Sequence, residues 1–334
     1  MGFPTPFPEP DSPELQRFAV RSRSEISIRL RVLKEAAVPL NAFVDTDGSF
    51  GVVTLQGVDE TAGKLADIAK AKVTGRIYDR LFVRHWDTWK DGRRSHLFVL
   101  PKQGGAARDL MPAMDADTPH KPFGGGEEIA FTADGKGVVF TARDAGREEA
   151  WSTNMDLFFV PADGSASPRR LTASNKAWDT TPVFSPDGRT LAYLAMARPG
   201  YEADRFRIVL MDWPDGKARV LTEAWDYSVN ALAWSADGAS LLATAGNKGQ
   251  TSLFAVDAKT GAARTVVEKG TVNGFGPAAG GRIAFERHTL LSPAEIYAVN
   301  ADGSDEKAVT SINAARIAAA RLGEPEQFSF KGWN

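Results

Sequence analysis

Residues 181–196, TPVFSPDGRTLAYLAM, limit what this chain can become more than any other stretch. Val183 and Phe184 close one β-rich run. Pro186-Asp187-Gly188 makes a turn, because proline presets φ for an early turn position and glycine accepts the left-handed one that closes it. Leu191 and Tyr193 open a second run rich in strand formers. The pattern returns at Phe131-Thr132-Ala133-Asp134-Gly135, before VVFTA, and at Trp234-Ser235-Ala236-Asp237-Gly238, before LLATA. The aromatic positions Phe131, Phe184 and Trp234 lie 53 and 50 residues apart. A repeat of that length, with about four strands in each unit, predicts an all-β chain built as a β-propeller.

The rest of the chain extends the pattern. Second turns fall at 160–164 (VPADG), 212–216 (DWPDG), 256–261 (VDAKTG) and 299–303 (VNADG). A short strand follows most of them and ends in Leu171-Thr172, Leu221-Thr222 or Val309-Thr310. Residues 281–286 (GRIAFE) are the matching strand of a unit whose Asp-Gly turn has eroded, and 41–55 reads as a degenerate copy with its turn at Asp47-Gly48. Residues 24–33 alternate apolar and polar side chains as a half-buried strand does. Residues 78–101 read as strands around an Asp91-Gly92 turn, and 326–334 as a last strand. The expected organisation is a disordered or extended arm over 1–22, then a propeller over 23–326 of about five to seven four-stranded blades, and over 327–334 the start of a linker to a further domain. One insertion interrupts the propeller. Residues 59–73 are rich in Ala and Lys, with Leu65, Ile68 and Ala69 at helical spacing, and predict a helix.

Composition excludes several functions. With 40 basic against 42 acidic residues the net charge is −2, so no general attraction to nucleic acid or an anionic membrane is expected. No cysteine is present, which removes disulfide, thiolate and Cys-based metal chemistry. His85, His96, His120 and His288 are scattered and none pairs with an activated-serine signature, and His288 beside Arg287 has no metal-like partner spacing; neither a metal nor a cofactor is expected. The first residues, MGFPTPFPEPDSPELQ, carry no apolar core of a signal peptide. Periplasm and cytoplasm both stay open, as does a homo-oligomer.

Three longer motifs carry a resemblance: 78–89 (YDRLFVRHWDTW), 148–154 (EEAWSTN) and 198–205 (RPGYEADR). In this order they resemble the β-propeller domain of prolyl oligopeptidase family serine peptidases, in the dipeptidyl-peptidase 5 and acylaminoacyl-peptidase-like branch. The resemblance covers about residues 78–334. It implies a propeller that caps an α/β-hydrolase domain in the same chain, gates access to it and helps hold a peptide substrate. Residues 330–334 (FKGWN) resemble the lead-in to that hydrolase domain. The hydrolase domain itself is expected to be absent here. No Gly-x-Ser-x-Gly nucleophile elbow occurs, and Gly48-Ser49-Phe50-Gly51 lacks its spacing. The alternative function is a stand-alone propeller that binds a protein or peptide.

Four residues stand out as substrate-binding candidates, and none as catalytic. Glu148 and Glu149 are adjacent carboxylates able to hold a peptide α-amino group through charge-assisted hydrogen bonds. The resemblance adds weight, since related dipeptidyl peptidases use a paired-glutamate motif. The other reading is a solvated acidic loop. Asn154 either orients the same group or caps a turn. Arg205, with Glu202 and Asp204, follows a Pro-Gly turn and either meets substrate or the hydrolase domain, or forms a local ion-pair set. Arg84, His85, Trp86, Asp87 and Trp89 either line a channel or face the hydrolase domain, or else pack between blades with an Arg–Asp pair. Trp151, Trp178, Trp225 and Trp234 recur near blade starts and read as core aromatics.

Overall fold

The computed structural model describes residues 42–44, 50–56, isolated positions and short runs between 67 and 90, and 94–333 apart from 102–105 and 215. The arm expected over 1–22 and the strand expected over 24–33 lie outside the described residues. Of the helix expected over 59–73, Asp67, Lys70 and Lys72 are described: the first two are helical and Lys72 lies in a bend.

The strands pair in sequence order. β1 (Ala42–Val44) and β2 (Phe50–Gln56) are followed by a small separate hairpin, β3 (Arg84–His85) and β4 (Thr88–Trp89). β5 (Ser95–Pro101) then pairs with β2, Phe50 opposite Pro101, and β6 (Arg108–Asp109) completes a four-stranded antiparallel sheet. The second sheet is β7 (Ile129–Phe131), β8 (Gly137–Ala142), β9 (Asp156–Pro161) and β10 (Arg169–Arg170). The third is β11 (Asp179–Phe184), β12 (Thr190–Ala195), β13 (Arg207–Asp212) and β14 (Ala218–Val220). Two more follow: β15 (Val229–Trp234), β16 (Ser240–Asn247), β17 (Gln250–Asp257) and β18 (Ala263–Val267); then β19 (Thr271–Ala278), β20 (Arg282–Thr289), β21 (Ser292–Asn300) and β22 (Lys307–Ala308). These last two are joined by a single parallel pair, Thr251 opposite Thr271. Five four-stranded meanders of this kind are the blades of a β-propeller.

The residues divide into two compact units, one holding the first two sheets and the other the remaining three. In the first unit Leu97, Leu110, Met111, Val138, Phe140, Phe158 and Val160 form the core. In the second, one cluster surrounds Leu194, Ile208, Leu241 and Trp234, and another surrounds Leu253, Ile283, Phe285 and Val299. Inner strands are apolar almost throughout: all six residues of β8 are buried. A strand buried on both faces needs continuous rather than alternating hydrophobicity.

The repeated turns are built by one hydrogen-bond device. Ser185 Oγ donates to Asp187 Oδ1 at 2.6 Å, Asp187 Oδ1 accepts from the Arg189 amide at 3.1 Å, and Ser185 Oγ accepts from the Thr190 amide at 3.0 Å. Thr132 with Asp134, and Ser235 with Asp237, repeat it. The hydroxyl bond comes first in holding all three aspartates below the ordinary carboxylate range. Gly135, Gly188 and Gly238 sit at φ of 68°, 69° and 70°, as left-handed closing residues do. The recurrent threonines also have one task. Thr172, Thr222 and Thr310 each accept, through Oγ1, the backbone N–H of Leu157, Ile208 or Ile296 on the adjoining strand.

The strand expected over 326–334 is not formed. The short helix Ala314–Ala319 occupies the preceding stretch, and residues 320–333 are exposed and make no strand pairs. Alternating Phe328 and Phe330 mimic a half-buried strand, but strand periodicity without a neighbouring edge forms no ladder.

Candidate functional site

β8 ends at Ala142, and a 3-10 turn over Gly146–Ala150 precedes β9. Gly146 at φ 54° lets the chain reverse into the turn. The turn is closed by the Trp151 amide donating to the Glu148 carbonyl at 3.0 Å. It separates the two glutamates. Glu148 is exposed, whereas Glu149 is 8% exposed and points into a charge cluster.

Arg94, at the entry to β5, organises that cluster. Its Nη1 and Nη2 grip the two Glu149 oxygens at 2.7 Å each, Nη1 also reaches Asp117 at 3.0 Å, and Nε reaches Asp115 at 2.9 Å. Lys90 Nζ adds a bond to Glu149 at 2.8 Å, and Lys121 lies 3.5 Å from Asp117. Burial works against the charged form of Glu149. The hydrogen bonds and charges of Arg94 and Lys90 outweigh it and hold the carboxyl below its ordinary range. Burial likewise opposes the Arg94 cation, and its bonds to Glu149 and Asp115 reverse the balance and raise it. Three cations here meet the three carboxylates of Asp115, Asp117 and Glu149. Glu148 is left over: among the described residues no ion pair engages it. Glu149 retains some capacity, since a carboxylate offers about four acceptor positions and three are filled.

Asn154 and Arg205 belong to the other unit. Asn154 is half-buried beside the bridge between Met155 and Trp178. Arg205 donates to the carbonyls of Trp225 and Glu223, the latter at 2.6 Å, and so braces the turn that follows β14. Asp204 caps the loop before it, accepting from the Ala197 and Arg198 amides at 2.7 and 2.8 Å.

The tryptophan expectation needs a correction. Trp234 is buried at 8% and Trp225 packs against the same core, but Trp151 is 64% exposed. Its place as the residue that ends the 3-10 turn lifts it off the sheet. In the β3–β4 hairpin, Trp86 and Trp89 are 70% and 53% exposed rather than packed between blades. Trp86 meets Phe123 edge to face at 5.5 Å, and Arg84 donates to the Trp86 carbonyl. The side chains of His85 and Asp87, and the turn expected at Asp91-Gly92, lie outside the described residues. His96 binds Asp109 at 2.8 Å and the buried His120 binds Glu128, so both face carboxylates rather than a serine. Sequence reasoning passed over Lys90, Arg94, Asp115 and Asp117. Arg94 lies 55 residues from Glu149, and no local spacing marks such a pair.

No protein-family model matches the chain. Dipeptidyl-peptidase 5 of Porphyromonas gingivalis is 29% identical over 248 residues, which span 73% of this chain and 36% of that protein. Pyrococcus horikoshii acylaminoacyl peptidase superposes with a TM-score of 0.64 at 16% identity, covering 88% of this chain and 42% of that one. The β-propeller domain of the Trilobed protease from Pyrococcus furiosus gives 0.52 at 12% identity, over 82% and 67%. The chain therefore has the β-propeller fold that these two peptidase propellers share. In sequence it is similar to dipeptidyl-peptidase 5 proteins, and it spans about a third of their length.

Proposed function

We propose that this chain is the propeller portion of a serine exopeptidase, and that Glu148 and Glu149 hold the α-ammonium group of a peptide substrate. The exposed Glu148 carboxylate carries the reading, because it is the negative charge left over beside an otherwise balanced cluster. A peptide ammonium entering a partly closed cavity loses hydration, and a carboxylate at a fixed place restores what is lost. Glu149 supplies its remaining acceptor position and, through Arg94 and Lys90, keeps the turn in place. Anchoring the amino terminus at a set distance from a nucleophile would make the enzyme remove short N-terminal units. The propeller would also gate entry to an α/β-hydrolase domain continuing from residues 327–334. Asn154 and Arg205, within the second unit, are proposed in their own right as peptide contacts.

The test compares a free-amine dipeptide substrate with its N-acetylated counterpart, using protein that joins this chain to its hydrolase region. Glu148→Gln is expected to lower kcat/KM on the free-amine substrate by about thirtyfold, on the order of 2 kcal/mol, and to leave the acetylated one unchanged. Asn154→Ala and Arg205→Lys are read in the same assay. Equal rates for wild type, Glu148→Gln and Glu149→Gln on both substrates would leave Glu148 a solvated side chain and Glu149 only the anchor of its turn.

A further inference from the structure

The turn that carries the glutamates closes through the Trp151 amide, which donates to the Glu148 carbonyl at 3.0 Å and brings the two residues together at the end of the turn. Both side chains are exposed, Trp151 by 64%. Among the described residues, no ring or guanidinium packs on the Trp151 indole. Exposed tryptophan next to a carboxylate without an ion-pair partner is the chemistry that recognises an alkylammonium: the carboxylate supplies charge and hydrogen bonds, and the indole face supplies its quadrupole. Trp151 is not among the residues of its unit's core, where Phe140 of β8 and Phe158 of β9 stack at 5.7 Å.

We propose that Trp151 is an ammonium-binding residue, its indole forming the aromatic wall of the site whose charged wall is Glu148. This deepens the function proposed above and rests on it. The pair would accept primary and methylated amines alike, because a cation–π contact does not depend on N–H donors. Glu149, held by Arg94 and Lys90, sets the turn and hence the spacing of the two walls. The turn is anchored on one side by Arg94 at the start of β5 and on the other by β9, so the pair is fixed before a ligand arrives.

The experiment titrates the 334-residue chain, by calorimetry, with Gly-Phe amide, its N,N,N-trimethyl form and its N-acetyl form. Trp151→Leu keeps an apolar side chain and removes the quadrupole; Trp151→Phe keeps a weaker one. Circular dichroism and thermal melts confirm that each variant folds, as expected for an exposed position. The expected result is binding of the free and trimethylated amines but not the acetylated peptide. Trp151→Leu should weaken the trimethylated ligand about tenfold and Trp151→Phe less. Glu148→Gln should weaken both cations. Unchanged affinities in Trp151→Leu, with Glu148→Gln still weakened, would overturn the role of Trp151 and leave the anchoring function standing. A wild-type chain that binds all three ligands equally, or none, would overturn both.

Discussion

Arg94 is the residue on which the candidate site depends. A buried carboxylate keeps its charge only if something nearby restores the lost hydration, and Glu149 has the Arg94 fork and Lys90 for that purpose. Removing either side leaves the other poorly compensated. Arg94→Ala and Glu149→Gln are each expected to lower the unfolding free energy by roughly 3 kcal/mol at neutral pH, measured by urea denaturation. The pH dependence has a definite sign. Because the folded-state value for Glu149 lies below its ordinary 4.5, its contribution is complete above that pH and is lost as pH falls through the depressed value. The difference between wild type and Glu149→Gln should therefore shrink below about pH 4.5. A difference that stays constant down to pH 3 would mean the charge is not what matters. The glutamate pair was legible as a dipeptide, but the burial that distinguishes its members was not, because it is decided by a partner 55 residues away. Trp151 was misread for a related reason: its aromatic character signals a core, and only the 3-10 turn moves it out to solvent.

At the scale of elements, turns were the most legible part of the chain, because their chemistry is local. Asp-Gly after Ser or Thr encodes a hydroxyl, a carboxylate and a left-handed residue within five positions, and the same bonds form at all three copies. The second turns work alike, with Gly164, Gly216, Gly261 and Gly303 all at positive φ. The two turn types are expected to differ in tolerance. Gly188→Ala forces alanine to φ 69° and should cost roughly 1–2 kcal/mol. Gly261→Ala carries the same strain at φ 77° and also drives its Cβ to 2.1 Å from the Leu221 carbonyl oxygen, so it should cost more. Urea denaturation of both variants checks the order; equal costs would show that the Leu221 backbone yields freely. Less legible were the β3–β4 hairpin and the β2–β5 pairing. A two-residue strand has no period to read, and β2 finds its partner across an insertion of 38 residues.

At the scale of the whole molecule, the 53- and 50-residue spacings pointed to repeated four-stranded sheets, and five are present among the described residues. That architecture also bears on chemistry. A nucleophile elbow sits on a sharp turn from a strand of a parallel sheet into a helix, where the serine hydroxyl is presented beside backbone N–H donors. Here each sheet is an antiparallel meander, and the parallel contact between β17 and β19 is a single residue pair. The helix Ala314–Ala319 follows Ser311, but that serine stands in Val309-Thr310-Ser311-Ile312-Asn313, without the flanking glycines that allow the strained turn. No serine in the chain has glycine two positions before and two after it. Without a base and an oxyanion hole, an ordinary serine does not react with an active-site phosphonate. The 334-residue chain is therefore expected to stay unlabelled by a fluorophosphonate probe, whereas protein that joins it to a hydrolase region should label once, within that region. Intact-mass measurement reads both. Stoichiometric labelling of any serine in this chain would mean that the propeller carries a nucleophile of its own.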